Sequence, residues 1–238
     1  MLIRPTLLAA SLALLLPLFA AQAADTNTLT ADETAAGWKL LFDGKTLAGW
    51  QPIGKSGIPT KGWTVLDGAI FLGKGARGGD IVTVEHFGDF ELTWEWKIGA
   101  VGNSGVKYNL PTPERNIGFE YQLIDDENHP DGKRGGRSHQ TAALYDLIEP
   151  AAERKVKPVG EWNQSRLLVQ GAHVEQWLNG VKIVEFDMGS DDLTARIAKS
   201  KYRREPNFGV KTKSPFLLQD HGDEVAFRNL KVRVPAAK

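Results

Sequence analysis

Residues 90–125 read FELTWEWKIGAVGNSGVKYNLPTPERNIGFEYQLID. Alternation of apolar and polar residues over roughly four to eight positions marks a strand with one buried and one open face. From Glu91 to Ile98 the alternation is clean: Leu92, Trp94, Trp96 and Ile98 share one side, and Glu91, Thr93, Glu95 and Lys97 the other. Phe119, Tyr121 and Leu123 repeat the pattern against Glu120 and Gln122, while Val106 and Tyr108 oppose Lys107 and Asn109. Laid near one another in an antiparallel sheet, these strands bring Glu95, Lys97, Lys107, Glu120 and Gln122 onto one surface. Most such faces are merely solvated. Two carboxylates, two amines and an amide in so small an area are nonetheless more than solubility requires.

The flanking sequence extends the β pattern. Asp67-Gly68 joins Trp63–Leu66 to Ala69–Leu72, and Asn179-Gly180 joins His173–Leu178 to Val181–Phe186; both dipeptides suit two-residue hairpin turns. Trp38–Phe42, Ile81–Val84 and Arg166–Gln170 read as further strands, as does Val225–Val234, with a bulge near Arg228-Asn229. His139–Leu147 is expected to be a strand that puts His139, Thr141, Ala143 and Tyr145 on one face, with room for a ligand between imidazole and phenol. One helix is predicted, Ser190–Arg203, with Ser190 as cap, Asp191 and Asp192 in the first turn and a basic end. The sum is an all-β chain, an antiparallel two-sheet sandwich of the jelly-roll type with one short helix near 190–203.

Residues 1–23 have the form of a signal peptide: Arg4, an apolar run from Leu7 to Ala20, and Ala21-Gln22-Ala23 as cleavage site. The apolar run is short for a bilayer span, so export to the periplasm or medium is expected, without stable membrane insertion. Residues 24–36 read as a flexible leader and residues 37–236 as a single domain, since about 215 residues suit one large β domain. The chain has no cysteine, so the exported fold relies on its own core. A formal net charge of zero gives no basic field for nucleic acid. Twenty-five glycines and seven tryptophans suit a turn-rich β protein, and the tryptophans also suit sugar binding.

Several strings occur together and in order: LFDGKTLAGW (41–50), GDFELTWEWKI (88–98), NSGVKY (103–108), GFEYQLIDD (118–126), HQTAALYDLI (139–148), GEWNQSRLLVQGAHVEQWLNG (160–180), SKY (200–202) and LLQDHGDEVAFRNLKV (217–232). In this the chain resembles the 3-keto-disaccharide hydrolase domain family, from about Trp38 to Val234. The departures are small, with Ala48 where an acid is common and Ala142 where glycine is usual. The resemblance implies a concanavalin A-like jelly roll, in agreement with the pattern, and action on sugars already oxidised at C3.

A ketone at C3 acidifies the C2 hydrogen, and the C1 substituent can then leave by elimination, unlike ordinary glycosidase chemistry with its oxocarbenium-like state. The site needs a base for C2, an electrophile for the C3 enolate and an acid for the departing oxygen. On that logic the catalytic candidates are Glu95, Lys107, Glu120, Tyr145 and His139. Lys97, Asn103, Gln122, Gln219 and Arg228 are candidates for binding the sugar. A divalent metal is an efficient electrophile; Glu120, His221 and Asp125 are its candidate ligands, and oxygen and imidazole donors suit Mn²⁺, Ca²⁺ or Zn²⁺. No organic cofactor is expected. Two other readings stand beside this one. A lectin-like module would rely on aromatic platforms and neutral hydrogen-bonders, and in a structural envelope protein the charged face would be plain surface.

Overall fold

The computed structural model describes residues 25–235, so the signal segment predicted at 1–23 lies outside the described residues. In chain order the elements are α1 (Ala31–Ala35), β1 (Lys39–Leu40), β2 (Trp50–Pro52), β3 (Trp63–Leu66), β4 (Ala69–Leu72) and β5 (Ile81–Thr83). There follow β6 (Phe90–Ile98), β7 (Asn103–Tyr108), β8 (Phe119–Ile124), α2 (Pro130–Arg134) and a 3-10 turn at Arg137–His139. The chain closes with β9 (Asn163–Gln170), β10 (His173–Leu178), β11 (Val181–Asp187), α3 (Asp191–Lys199), β12 (Leu217–Leu218) and β13 (Val225–Arg233). All strand pairs are antiparallel, in two sheets. The larger runs β11-β10-β9-β6-β13-β4-β3 with β1 beside β13, and the smaller runs β2-β5-β12-β7-β8.

The decisive stretch is therefore split. β6 is central in the large sheet, whereas β7 and β8 form one edge of the small one. The apolar sides still meet as alternation requires: Leu92, Trp94 and Trp96 from one sheet and Val106, Tyr108, Phe119, Tyr121 and Leu123 from the other are all at most 1% exposed. Trp94 meets Tyr121 edge-on at 5.0 Å. A buried polar chain also joins the sheets, in which Trp96 Nε1 donates to Ser165 Oγ, Ser165 Oγ to Tyr121 Oη, and Tyr121 Oη to the Trp177 carbonyl. Each buried donor is thereby satisfied at a fixed register between layers.

Local expectations hold where turn chemistry drives them. Asp67-Gly68 and Asn179-Gly180 take positive φ at both positions, as the hairpin turn demands. The register of β13 slips between Arg228 and Lys231, at the expected bulge. Ser190 caps α3 through Leu193 N–H, but the helix ends at Lys199 because Ser200 is extended, so Arg203 lies beyond it. Two segments differ from expectation. Residues 25–36 are not a loose leader: Asn27 exchanges hydrogen bonds with Asn229 at the bulge, Lys231 binds the Glu33 carboxylate, and Thr30 and Glu33 form a capping box on α1. Residues 139–147 are turns, not a strand, although they run along the β8 edge through Ala142 N–H to Gln122 O and Tyr145 N–H to Glu120 O. Ala142 sits there at φ +67, in the left-handed region that suits glycine.

Candidate active site

The outer side of the small sheet carries the ionisable groups. Lys107 and Glu120 are cross-strand partners on β7 and β8, and their side chains pair at 3.2 Å with side-chain exposures of 7% and 3%. The Lys107 amine also donates to the Asn116 carbonyl at 2.9 Å. The next outward position on β7 is Gly105, and the Glu120 carboxylate lies over it: a Cβ there would sit 2.8 Å from Glu120 Oε1. Glycine at 105 is thus what lets Glu120 lie flat on the sheet. Nearby, burial pushes the Asp80 carboxyl above its ordinary value, against the pull of the Asp220 N–H and of Lys107.

A second tier rises from the β8 edge. Tyr145 Oη donates to Asp131 Oδ2 at 2.8 Å, Asp131 Oδ1 faces His139 Nδ1 at 2.9 Å, and His139 Nε2 faces Asp146 Oδ1 at 3.1 Å. Carboxylate oxygens only accept, so whichever ring nitrogen carries a proton donates to the carboxylate it faces. Burial works to raise Asp131, but the hydrogen bonds from His139 and Tyr145 together outweigh it and hold the carboxyl below its ordinary range. Burial, reinforced by Asp131, raises Tyr145 far above the usual phenol value. Lys201 completes this tier. The residue is exposed overall, and its amine lies 4.0 Å from the Tyr145 ring centre and 5.0 Å from that of Tyr202. Burial lowers its pKa, opposed by the field of Glu120 and helped by Lys107. The Lys201 N–H is pinned by Asp146 Oδ2 at 2.8 Å.

At the far end of the same face, ligand atoms of His129, His221 and Asp223 lie within 4.8 Å of one another. Asp223 is held by the Asn103 N–H at 3.1 Å, and the His129 and His221 rings are nearly perpendicular. Two carbonyl oxygens close by, Asn103 Oδ1 and Gln219 Oε1, are buried without a hydrogen-bond partner.

With this geometry in view, comparison with known proteins is informative. The model of the 3-keto-alpha-glucoside-1,2-lyase-like domain matches residues 37–233. The chain belongs to that family. A 3-keto-disaccharide hydrolase of Bacteroides thetaiotaomicron is 35% identical over 244 residues, covering 90% of this chain and 83% of the relative. A crystal structure of a candidate glycosyl hydrolase from Parabacteroides distasonis is 38% identical, with TM-score 0.79 over 89% of this chain and 100% of that one. A Bacillus subtilis protein with a galectin-like fold shares the architecture at 13% identity and TM-score 0.50, over 81% and 92% of the two chains.

Within this member of the 3-keto-alpha-glucoside-1,2-lyase-like family, the predicted residues divide. Lys107, Glu120, His139 and Tyr145 converge, although His139 and Tyr145 meet through turns and Asp131 rather than on a strand face. Glu95, Lys97 and Arg228 do not join them. They belong to the large sheet, where Arg228 binds Glu95 at 2.7 Å and the Lys97 and Arg228 cations stack on Trp162. The expectation of one shared surface fails because alternation assigns a face but not a sheet. Gln122 is 0% exposed, with Oε1 accepting from Leu123 N–H and Nε2 reaching the His139 carbonyl, so it has no hydroxyl to orient. Asp125 is spent on its own loop, accepting from Val101, Glu127 and Asn128. Glu120, His221 and Asp125 therefore do not form a metal set, and His221 keeps company with His129 and Asp223 instead.

Sequence reasoning passed over Lys201, Asp131, Asp146, Asp80, His129 and Asp223. Lys201 stands in the SKY string, within the span expected to be the basic end of a helix, and Asp131 and His129 stand in the polar run 125–137, which carries no strand alternation. A cleft of about 540 Å³ lies elsewhere, lined by Trp96, Ile98 and Ile124, by Asp125–Asn128 and by Val156–Val159. It holds no Glu120, Lys107 or Lys201, so the face on which the ionisable groups converge is the better candidate.

Proposed function

We propose that this protein, a carbohydrate-active enzyme by family, cleaves glycosides whose sugar carries a ketone at C3, by removal of the C2 proton and elimination of the C1 oxygen. The observation that carries the reading is the Glu120 carboxylate, fixed over Gly105 beside one cation, Lys107, with a second amine, Lys201, in the tier above. Glu120 takes the C2 proton. Lys107, already bonded and desolvated, offers a fixed positive field for the charge that develops on the C3 oxygen. Lys201 gives its proton to the departing C1 oxygen, because burial makes its ammonium a stronger acid than an ordinary lysine. Tyr145 is not that acid, since its proton is committed to Asp131; it seats Lys201 by its ring face. Water then adds at C1, giving its proton to the neutral Lys201 while Glu120 returns one to C2, and the net change is hydrolysis. The N-terminal segment 1–23 supports a site of action outside the cytoplasm.

The test is turnover. Purified protein is given a 3-keto-glucoside and its unoxidised parent, alongside Lys201→Ala and Glu120→Asp. Rapid cleavage of the keto-sugar alone, with each variant slower by roughly 10²-fold or more, is expected. Tight binding of the unoxidised glycan with no cleavage of either sugar would refute the enzyme in favour of the lectin-like reading.

A further inference from the structure

We propose that His129, His221 and Asp223 form a binding site for one divalent transition-metal ion. The three side chains come from the loop before α2 and from the turn between β12 and β13. Their ligand atoms converge within 4.8 Å, and no hydrogen bond among the described residues links any two of them. Three converging groups that do not bond one another leave a centre for something that bonds all three. Two imidazoles and one carboxylate suit Zn²⁺, Co²⁺ or Mn²⁺ better than Ca²⁺ or Mg²⁺, which prefer oxygen sets.

Three observations sharpen the assignment. Asp223 is already oriented, through the Asn103 N–H, in the way outer contacts orient metal ligands. Asn103 is 4% exposed and its Oδ1 has no partner, which leaves a buried carbonyl oxygen on the same residue whose N–H holds Asp223. The other grouping of this kind, His173 with Glu175 and Glu185, is already filled: the Lys182 amine reaches Glu175 at 3.4 Å and Glu185 at 2.7 Å. His129 carries the cost of loading. Its Nδ1 accepts the Asp131 N–H at 3.1 Å, so the neutral ring holds its proton on Nε2. Binding through Nε2 moves that proton to Nδ1 and gives up the bond at the start of α2.

The site shares the sheet face with Glu120. Asn103 and Gly105 are successive outward positions on β7, about 7 Å apart at strand rise. A bound ion there would act as a Lewis acid toward a carbonyl or hydroxyl oxygen. Metal content is nonetheless read without turnover, so this proposal and the proposed reaction fail separately. The purified protein is stripped with chelator, loaded with Co²⁺ or Zn²⁺, desalted and assayed for metal per chain, with the visible bands of Co²⁺ as a second reading. We expect one ion per chain, a loss of at least tenfold in affinity in His221→Ala and in Asp223→Asn, and full loading in His173→Ala. Circular dichroism and thermal melts confirm that the variants fold. No retained ion in the wild type, unchanged loading in His221→Ala and Asp223→Asn, or loss only in His173→Ala would each overturn the site.

Discussion

Gly105→Ala separates the position of Glu120 from its charge. The added carbon would lie 2.8 Å from Glu120 Oε1, 3.0 Å from its Cγ and 3.2 Å from its Cδ. Ordinary carbon contacts run at about 3.5–4.0 Å, so the carboxylate has to move by about 1 Å. No backbone penalty arises, because Gly105 has no left-handed φ. Overpacking of this kind destabilises by about 1–3 kcal/mol, and each kcal/mol lowers Tm by about 2–4 °C in a domain of this size. A displacement of about 1 Å in a reacting group costs on the order of 10²-fold in rate. Glu120→Gln is a blunter tool. It leaves the Lys107 ammonium, 7% exposed, without its anion, and breaking a buried pair in this way costs about 3–5 kcal/mol. The assay is kcat and KM on a 3-keto-glucoside, with a melt on the same sample. A drop in kcat of about 10²-fold with a folded protein is expected. A Gly105→Ala protein with the predicted fall in Tm but kcat within about twofold of wild type would remove Glu120 from the chemistry.

Five further outcomes are expected. The pKa of Lys201 is lowered from 10.5, so its acid form is lost above the lowered value; kcat/KM should fall on the alkaline side below pH 10.5, and Lys201→Arg should move that limb upward. The same shift leaves the unfolded chain with more protons between the two values, so this group makes stability rise with pH across that window, as paired wild-type and Lys201→Met melts would show. Asp131, lowered from 3.8, contributes stability that is present above that value and lost as pH falls through the folded one, so Asp131→Asn should lose less Tm in acid than wild type does. Glu95→Gln, altered on the other sheet, should keep kcat within about twofold while losing the Arg228 contact, measured by steady-state kinetics and a melt. Tyr145→Phe keeps the ring beneath Lys201 and should lose less than about tenfold in kcat, whereas Tyr145→Leu should lose more; equal large losses would make the phenol the acid after all.

The fold was legible because its signals are local. Alternation in β6 and β8, the Asp67-Gly68 and Asn179-Gly180 turns and the Ser190 cap each act within a few residues. Sheet membership was not legible, because Glu95 and Glu120 have the same parity signal and differ only in which neighbours their strands find. The site was half legible for the same reason. Lys107 and Glu120 announce themselves as charges in apolar strands, and ion pairing lets them stay buried. Lys201 and Asp131 come from a post-helix turn and a polar loop, where charged residues are ordinary. Only the docking of those segments against the β8 edge gives them a role. Ala142 shows how local strain enters: its φ of +67 is paid for by backbone bonds to β8 that hold the Tyr145 segment in place.

The most direct measurement is cleavage of a 3-keto-disaccharide by the purified protein in D₂O, with the released keto-sugar examined by NMR and mass spectrometry. Removal of the C2 proton by Glu120 predicts deuterium at C2 of the product, no cleavage of the unoxidised disaccharide, and loss of both cleavage and exchange in Glu120→Asp. Cleavage of the unoxidised sugar at a comparable rate, or a keto-sugar product with hydrogen retained at C2, would contradict the account.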